Sequence, residues 1–565
     1  MGSVTRYTGH TLGWLFALVF LAAWQPGDLL QAVGDSPVVK AARTDNLSAV
    51  QALVAERADV NAPGRDGSTA LLWAAYHADL EMVQALVAAG ATVDAANAYG
   101  VTPLLQASRT GNAAVVRALL AAGADPLLAH PEGETPLMAA SQAGSVEAVR
   151  LLLETGSNVN AVDAYQAQTA LMWAAAEGHV EVLDTLLAAG ADPNVRAHIT
   201  ALEERKHADH PTGGFTALMF AVRNGHETAV RSLIAGGADP DLTNGDGASA
   251  GVVAVVNDRL DLAATLVDLG ANPNDGSLYF AVDMHDATTD MRARDGSRLR
   301  ADHPNTLTSL DLIKKLLEAG ADPNKPFVGQ LHSYTLCCDG QVNASPFFRA
   351  AVASDVEVMN LMIAHGAHIE WSPAEVKKDE GGGGRGMNAN VGRTPLMVTL
   401  NGGRGAAFAA GPGFERLGPP PFREPAEREP LVAVQLLLAA GADPNAKAPN
   451  GATLLHQAVQ AQQVPIIREL VAAGASLDAV DKDNLTPLLL AEKPEPEGRG
   501  IPAANTDPDR YRRQQDSKED VIAALRELMN LGPDDPAPVP PPLPVDESAK
   551  EEPADGAAAS PQGAQ

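Results

Sequence analysis

The side chains of this sequence that could do chemistry gather at a few points. His198, His207 and His210 share one polar stretch with Glu203 and Glu204. Residues three apart share a helical face, so His207 and His210 could bind a metal ion if that stretch were helical. No cysteine joins them, and such polarity suits a solvated loop. Asp283, His285 and Asp286 form a short acid–histidine cluster. Acid–base catalysis there would need a nucleophile and a third, orienting group at hydrogen-bond distance, and neither can be named. Cys337 and Cys338 are adjacent and are the chain's two cysteines. They make no disulfide framework, and a bridge between neighbours is strained. Glycine runs at 381–386 and 402–413 lack the Walker spacing and the Lys-Ser/Thr ending of a phosphate cradle. The expectation is a protein that is not an enzyme and holds no metal or cofactor. An enzyme or metal-binding protein with its site within 195–430 is the alternative.

The chain has 565 residues and a formal net charge of −29. Such a balance repels phosphate. The densest basic stretch, Arg510 to Arg513 with Lys518, is short and interleaved with acids. Nucleic acid is therefore not expected as a partner. Near the N-terminus, Arg6 precedes an uncharged apolar run from Leu12 to Trp24. That run suits the core of a signal peptide and is short for a membrane span. Ala32 and Gly34 have the spacing a signal peptidase accepts, so residues 1–34 are expected to be removed between Gly34 and Asp35. Export to the periplasm or outside the cell follows, with an uncleaved N-terminal anchor as the alternative. No other segment is expected to meet the membrane.

The elements that must position any functional group come from a repeat. Thr69, Thr102 and Thr135 open Thr-Ala/Pro-Leu triplets 33 residues apart, and Thr169 follows after 34. Thr216, Ser249, Thr394, Thr453 and Thr486 continue the series. In the unit from Gly67 to Ala95, Thr69 can cap a helix with its hydroxyl. Leu71, Ala74 and Ala75 make an apolar face whose small residues let helices approach closely. A polar turn follows at His77 to Asp79. Met82, Val83, Leu86 and Val87 line a second helix, which Gly90 ends in the left-handed conformation. Residues 91–98 extend as a finger. The phrase Gly-Ala-Asp-Pro-Asn returns at Gly190, Gly320 and Gly441.

These phrases resemble the ankyrin repeat family over most of residues 36–531. The resemblance implies an all-α solenoid of stacked antiparallel helix pairs with extended finger loops, curved with a concave face. One pair cannot bury its apolar face alone, so neighbours bury it jointly. The array divides into regular repeats at 35–194, insert-bearing repeats at 195–430, and a closing stretch at 431–531. Inserts at Val195–Gly213, Lys325–Gln341 and Ser372–Val391 fall at fingers. Those at Met284–Thr308 and Gly402–Pro430 fall between the helices of a pair. Residues 532–565, rich in Pro, Ala and acid, have too little apolar content to pack and read as a disordered tail.

The resemblance places a binding surface on the positions after the Ala-Ala pair and on the finger tips. Here these are Tyr76, His77, Arg109, Thr110, Gln142, Glu177, Arg223 and Asn224, with Tyr99 and Tyr165 at tips. Tyrosine and arginine are enriched where interfaces concentrate their energy. Trp73, Trp173 and Phe220 are read as packing between neighbouring first helices, or as anchors for a partner. The function implied is an exported, monomeric scaffold that binds a protein or peptide partner, with an envelope spacer as a further alternative.

Overall fold

The computed structural model describes residues 35–199, 213–285, 305–327, 344–373, 391–401, 430–494 and 516–541. The chain forms two compact units, residues 1–158 and 159–565. Among the described residues the regular structure is helical, with isolated bridges at Val162–Thr169 and Ile199–Gly213.

The first unit carries four helix pairs. They are α1 (Pro37–Arg43) with α2 (Leu47–Ala55), α3 (Ala70–Tyr76) with α4 (Leu80–Ala88), α5 (Pro103–Thr110) with α6 (Ala113–Ala121), and α7 (Pro136–Gln142) with α8 (Val146–Glu154). First helices pack on first helices and second on second, in chain order. Helices of 7–9 residues are too short to stand alone in water, where about 12–15 residues are needed. Their stability comes from burial. Leu71, Leu104 and Leu137 repeat in the core of the first helices, and Val83, Val116 and Val149 in that of the second. Leu72, Val101, Leu105 and Ala139 close one cluster across successive first helices.

The second unit continues the pattern through α9 (Ala170–Glu177), α10 (Val180–Ala188), α11 (Ala217–Asn224), α12 (Glu227–Ala235), α13 (Ala250–Val256), α14 (Leu260–Asp268), α15 (Ser277–His285) and α16 (Ser309–Glu318). Then come α17 (Pro346–Ala353), α18 (Val356–Ala364), α19 (Pro395–Val398, extended by a 3-10 turn), α20 (Pro430–Ala439), α21 (Leu454–Gln460), α22 (Val464–Ala472), α23 (Pro487–Glu492) and α24 (Lys518–Leu528). The pairs opened by Ser277 and Ser345 stand outside the Thr triplet series. Gly276 takes the threonine's place in one, and Phe347 the leucine's in the other. Their helices form all the same because Leu278, Phe280, Phe347 and Phe348 supply the buried face.

Three local devices recur, and each explains a repeated residue. Thr69 Oγ1 accepts from Leu72 N at 3.3 Å, and Thr102, Thr169 and Thr216 cap their helices likewise. Gly90, with φ 85°, ends α4 in a Schellman motif. Its N–H donates to Val87 O, and Ala91 N–H to Leu86 O, both at 3.0 Å. The third device lies at the last position of Gly-Ala-Asp-Pro-Asn and its variants and ties one repeat to the next at several junctions. Asn445 Nδ2 donates to Gly474 O at 3.0 Å, and its Oδ1 accepts from Ser476 N at 2.7 Å. Asn61, Asn194, Asn274 and Asn324 make the same two-way bridge. Asp94 and Asp241 keep only the accepting half. Leu127 holds this position in one repeat, can make neither bond, and is 58% exposed.

Candidate protein-binding surface

In the first unit the end of α3 is an aromatic cluster. The Trp73 and Tyr76 rings meet edge-on at 5.6 Å, Tyr76 and His77 at 5.2 Å, and Trp73 stacks on His77 at 6.3 Å. Tyr76 is 54% exposed while Trp73 is half-buried beneath it. His77 also ties two helices together, since its Nε2–H donates to Arg43 O, the last carbonyl of α1, at 3.0 Å. Arg109 projects from the end of α5, and its fork is occupied. Nε donates to Glu134 Oε1 at 3.0 Å and Nη2 pairs with Oε2, a bidentate pair. Thr110 and Gln142 are exposed at the ends of α5 and α7.

Tyr99 is 67% exposed at a finger tip. Asn97 Oδ1 accepts from both Tyr99 N and Val101 N at 3.0 Å, which folds the turn. In the second unit Asp163 does the same for Tyr165, accepting from Tyr165 N at 3.0 Å and Gln166 N at 2.7 Å. Tyr165 is equally exposed. Both tip tyrosines therefore follow, by two residues, an Asn or Asp that shapes the turn, a signal legible in sequence.

The second unit carries the other candidates. Glu177 is exposed at the end of α9. Asn224 Nδ2 donates to Ala176 O at 2.6 Å, so like His77 it holds the preceding helix end. Phe220, the next helix's counterpart of Trp173, is buried. Arg223 lies over two rings, 5.4 Å from the Phe215 centroid and 5.1 Å from that of Phe220. Apolar enclosure pulls its pKa below the usual arginine value without discharging it, since arginine stays protonated in proteins. Phe215 precedes the repeat's Thr216 and lies outside the triplet pattern.

Among the described residues the acid–histidine cluster does not assemble a reactive site. Asp283 and His285 diverge. Asp283 Oδ1 accepts from Arg349 Nε at 2.7 Å, and Arg349 is 4% exposed. His285 lies between Ser309 Oγ, 2.9 Å from Nδ1, and Asp355 Oδ2, 3.4 Å from Nε2. The residue types are those of a serine hydrolase triad, but the ring nitrogens are exchanged, since in a triad Nε2 faces the serine and Nδ1 the aspartate. Moreover, Ser309 is 4% exposed, out of reach of a substrate, and Asp355 Oδ1 is committed to capping α18 through Val358 N. These groups are structural ties, His285 to Ser309 within one helix pair, and Asp283 and His285 to Arg349 and Asp355 of the next. Of the histidine stretch, His198 donates its backbone N–H to Gln166 O at 2.6 Å. His207, His210, Glu203, Glu204, Asp286, Cys337, Cys338 and both glycine runs lie outside the described residues. Among the described residues no three His, Cys, Asp or Glu side chains stand together as a metal site.

Comparison with known proteins gives one family. The profile for ankyrin repeats (three copies) matches residues 38–130, 104–197, 199–277 and 426–495, more than half of the chain. A 71-residue stretch is 41% identical to the E3 ubiquitin-protein ligase KEG of Arabidopsis thaliana, covering 12% of this chain and 4% of that protein. The chain thus spans only a small part of that relative's length. The human ASB11 ankyrin repeat domain is 27% identical, with a TM-score of 0.33, over 39% of this chain and 91% of that one.

Proposed function

The chain belongs to the ankyrin repeat family, whose repeats generally mediate protein–protein interaction, and from that premise we propose that it is an exported scaffold. It binds a protein or peptide through first-helix ends and finger tips. One observation carries the reading: Tyr76, Tyr99 and Tyr165 are large apolar side chains left in solvent at the two registers where repeats present their variable positions. Tyrosine brings a large apolar ring with a polar tip and is enriched among the residues that carry most of an interface's energy. In the first unit the surface comprises Tyr76, His77, Tyr99 and Arg109; in the second, Tyr165, Glu177, Arg223 and Asn224. No catalytic group is assigned, and the scaffold acts as a monomer.

Export rests on the apolar run at Leu12–Trp24. The residue just after the expected cleavage point is tied into the first repeats. Asp35 pairs with Arg43 at 2.5 Å and accepts from Arg65 N at 3.2 Å. No helix among the described residues is long and apolar enough to cross a membrane. Fractionation of host cells followed by N-terminal sequencing should return a mature chain beginning near Asp35 outside the cytoplasm. Recovery of the intact N-terminus from the cytoplasm would overturn export. For binding, the full chain should capture a partner from the exported fraction. A variant with Tyr76→Ala, Tyr99→Ser, Arg109→Gln and Tyr165→Ser should lose it at unchanged helicity. Retained capture would place the site elsewhere, and repeated capture of nothing would refute a binding role.

A further inference from the structure

Arg223 is a cation held in place over two rings, and no described residue fills its fork. The Phe215 and Phe220 rings beneath it lie 5.5 Å apart, tilted by 48°. They attract the guanidinium through their quadrupoles but offer no lone pairs to its N–H groups. Among the described residues no carboxylate pairs with Arg223, and its side chain donates no hydrogen bond. The rings strip hydration from the face of the guanidinium that lies on them while the side chain as a whole stays exposed, so a counter-ion gains more here than at a fully solvated arginine.

The chain contains its own comparison. Arg109 stands seven residues after its capping Thr102, as Arg223 does after Thr216. The fork of Arg109 is filled by Glu134, the residue just before the next cap, Thr135. The corresponding residue before the next cap, Ser249, is Ala248, which is buried and has no carboxylate to give. One register thus occurs twice, once satisfied from within and once open.

We propose that Arg223, on its Phe215–Phe220 platform, receives an aspartate or glutamate side chain from the protein partner. This rests on the binding reading above and names the chemistry of one contact. The planar fork fits a carboxylate bidentately, and the rings beside it fit apolar flanks. The net charge of −29 repels a polyacidic ligand. The ligand is therefore a single carboxylate set among apolar residues.

The test uses an array of capped twelve-residue peptides, each with one Asp or Glu between apolar residues, beside twins carrying Asn or Gln. Full-length wild type, Arg223→Gln, Arg223→Lys and the double variant Glu203→Gln/Glu204→Gln are compared. The best peptides should bind wild type roughly 10- to 100-fold more tightly than Arg223→Gln. Their neutral twins should show the same loss on wild type and no further loss on Arg223→Gln. Lysine should restore only part, lacking the fork. The Glu203/Glu204 variant should bind as wild type does. The inference fails if no peptide prefers wild type to Arg223→Gln, or if twins bind equally. It fails too if neutralising Glu203 and Glu204 strengthens binding about tenfold, since the insert would then already fill the fork. Because Arg223 is exposed, Arg223→Gln should keep the wild-type thermal midpoint. If Arg223→Gln still captures the partner from the exported fraction, this inference falls and the binding reading stands. If wild type captures nothing, the binding reading itself falls.

Discussion

Replacing Asn445 by leucine should loosen one junction of the array by about 1–2 kcal/mol. The bridge it removes has two hydrogen bonds, to Gly474 O at 3.0 Å and from Ser476 N at 2.7 Å. Each is worth about 0.5–1.5 kcal/mol net, and exposure lets water recover part of the loss. In a repeat array stability is a sum of repeat terms and nearest-neighbour interface terms, so the deficit stays at this junction. Amide exchange at Ser476 should therefore quicken by roughly 5- to 30-fold, while amides in the first unit keep their rates. Asn445→Asp should fall between the two, because it keeps the acceptor and loses the donor. Asp94 and Asp241 already live with that arrangement, accepting from Asp125 N at 3.1 Å and Asn272 N at 2.9 Å. An unchanged Ser476 rate in Asn445→Leu would refute the view that the Asn of Gly-Ala-Asp-Pro-Asn is an inter-repeat tie. So would an Asp variant as damaged as the leucine.

Other outcomes follow from the same structure. Leu127→Asn supplies the missing bridge where leucine stands exposed, and should raise the urea midpoint by up to about 1 kcal/mol in stability; a lowered midpoint would count against the register. His456 is buried, its Nδ1 facing Thr453 N at 3.2 Å and its Nε2–H donating to Leu485 O at 3.0 Å. Burial lowers its pKa below the ordinary 6.5, so the fold prefers the neutral ring. That contribution is complete above pH 6.5 and is lost as the pH falls from there through the folded pKa. The stability gap between wild type and His456→Gln, read by urea titration, should narrow at low pH, and a gap that widens would contradict the assignment. Arg349→Met leaves the Asp283 carboxylate enclosed without its guanidinium and should cost about 3 kcal/mol. Adding Asp283→Asn should return part of it in a double-mutant cycle, and strictly additive losses would show that the pair is not coupled.

Much of the fold was legible because its rules are local. Thr69, Thr102 and Thr169 cap helices with their own hydroxyls, Gly90 turns left-handed because it has no Cβ, and Leu71 with Ala74 and Ala75 marks the face that packs. Each device needs residues within a few positions, so a single repeat displays it. The pair at Ser277 escapes the triplet pattern because Gly276 stands where the cap would be and buried Leu278 and Phe280 maintain the helix, whereas the pair at Ser345 keeps its cap, Ser345 Oγ accepting from Phe348 N at 3.2 Å, and departs only in having Phe347 for the leucine.

The candidate surface was legible only as positions. The tyrosines at 76, 99 and 165 stand in solvent as the repeat register implies, but the state of each charged group was settled at long range. Arg109 and Arg223 look alike in sequence, yet Glu134 closes one fork while Ala248, at the matching position, offers no carboxylate and no other described residue pairs with Arg223. His77 and Asn224 hold the ends of preceding helices, Arg43 O and Ala176 O, 34 and 48 residues away. Asp283 and His285 look like partners, yet Asp283 reaches Arg349, 66 residues on. The sequence by itself determined the repeat, its caps and its turns, since these are decided by neighbours along the chain. Only the tertiary structure decided which polar side chains are spent on holding repeats together and which, among the described residues, are left uncommitted. That depends on what the next repeat places opposite them.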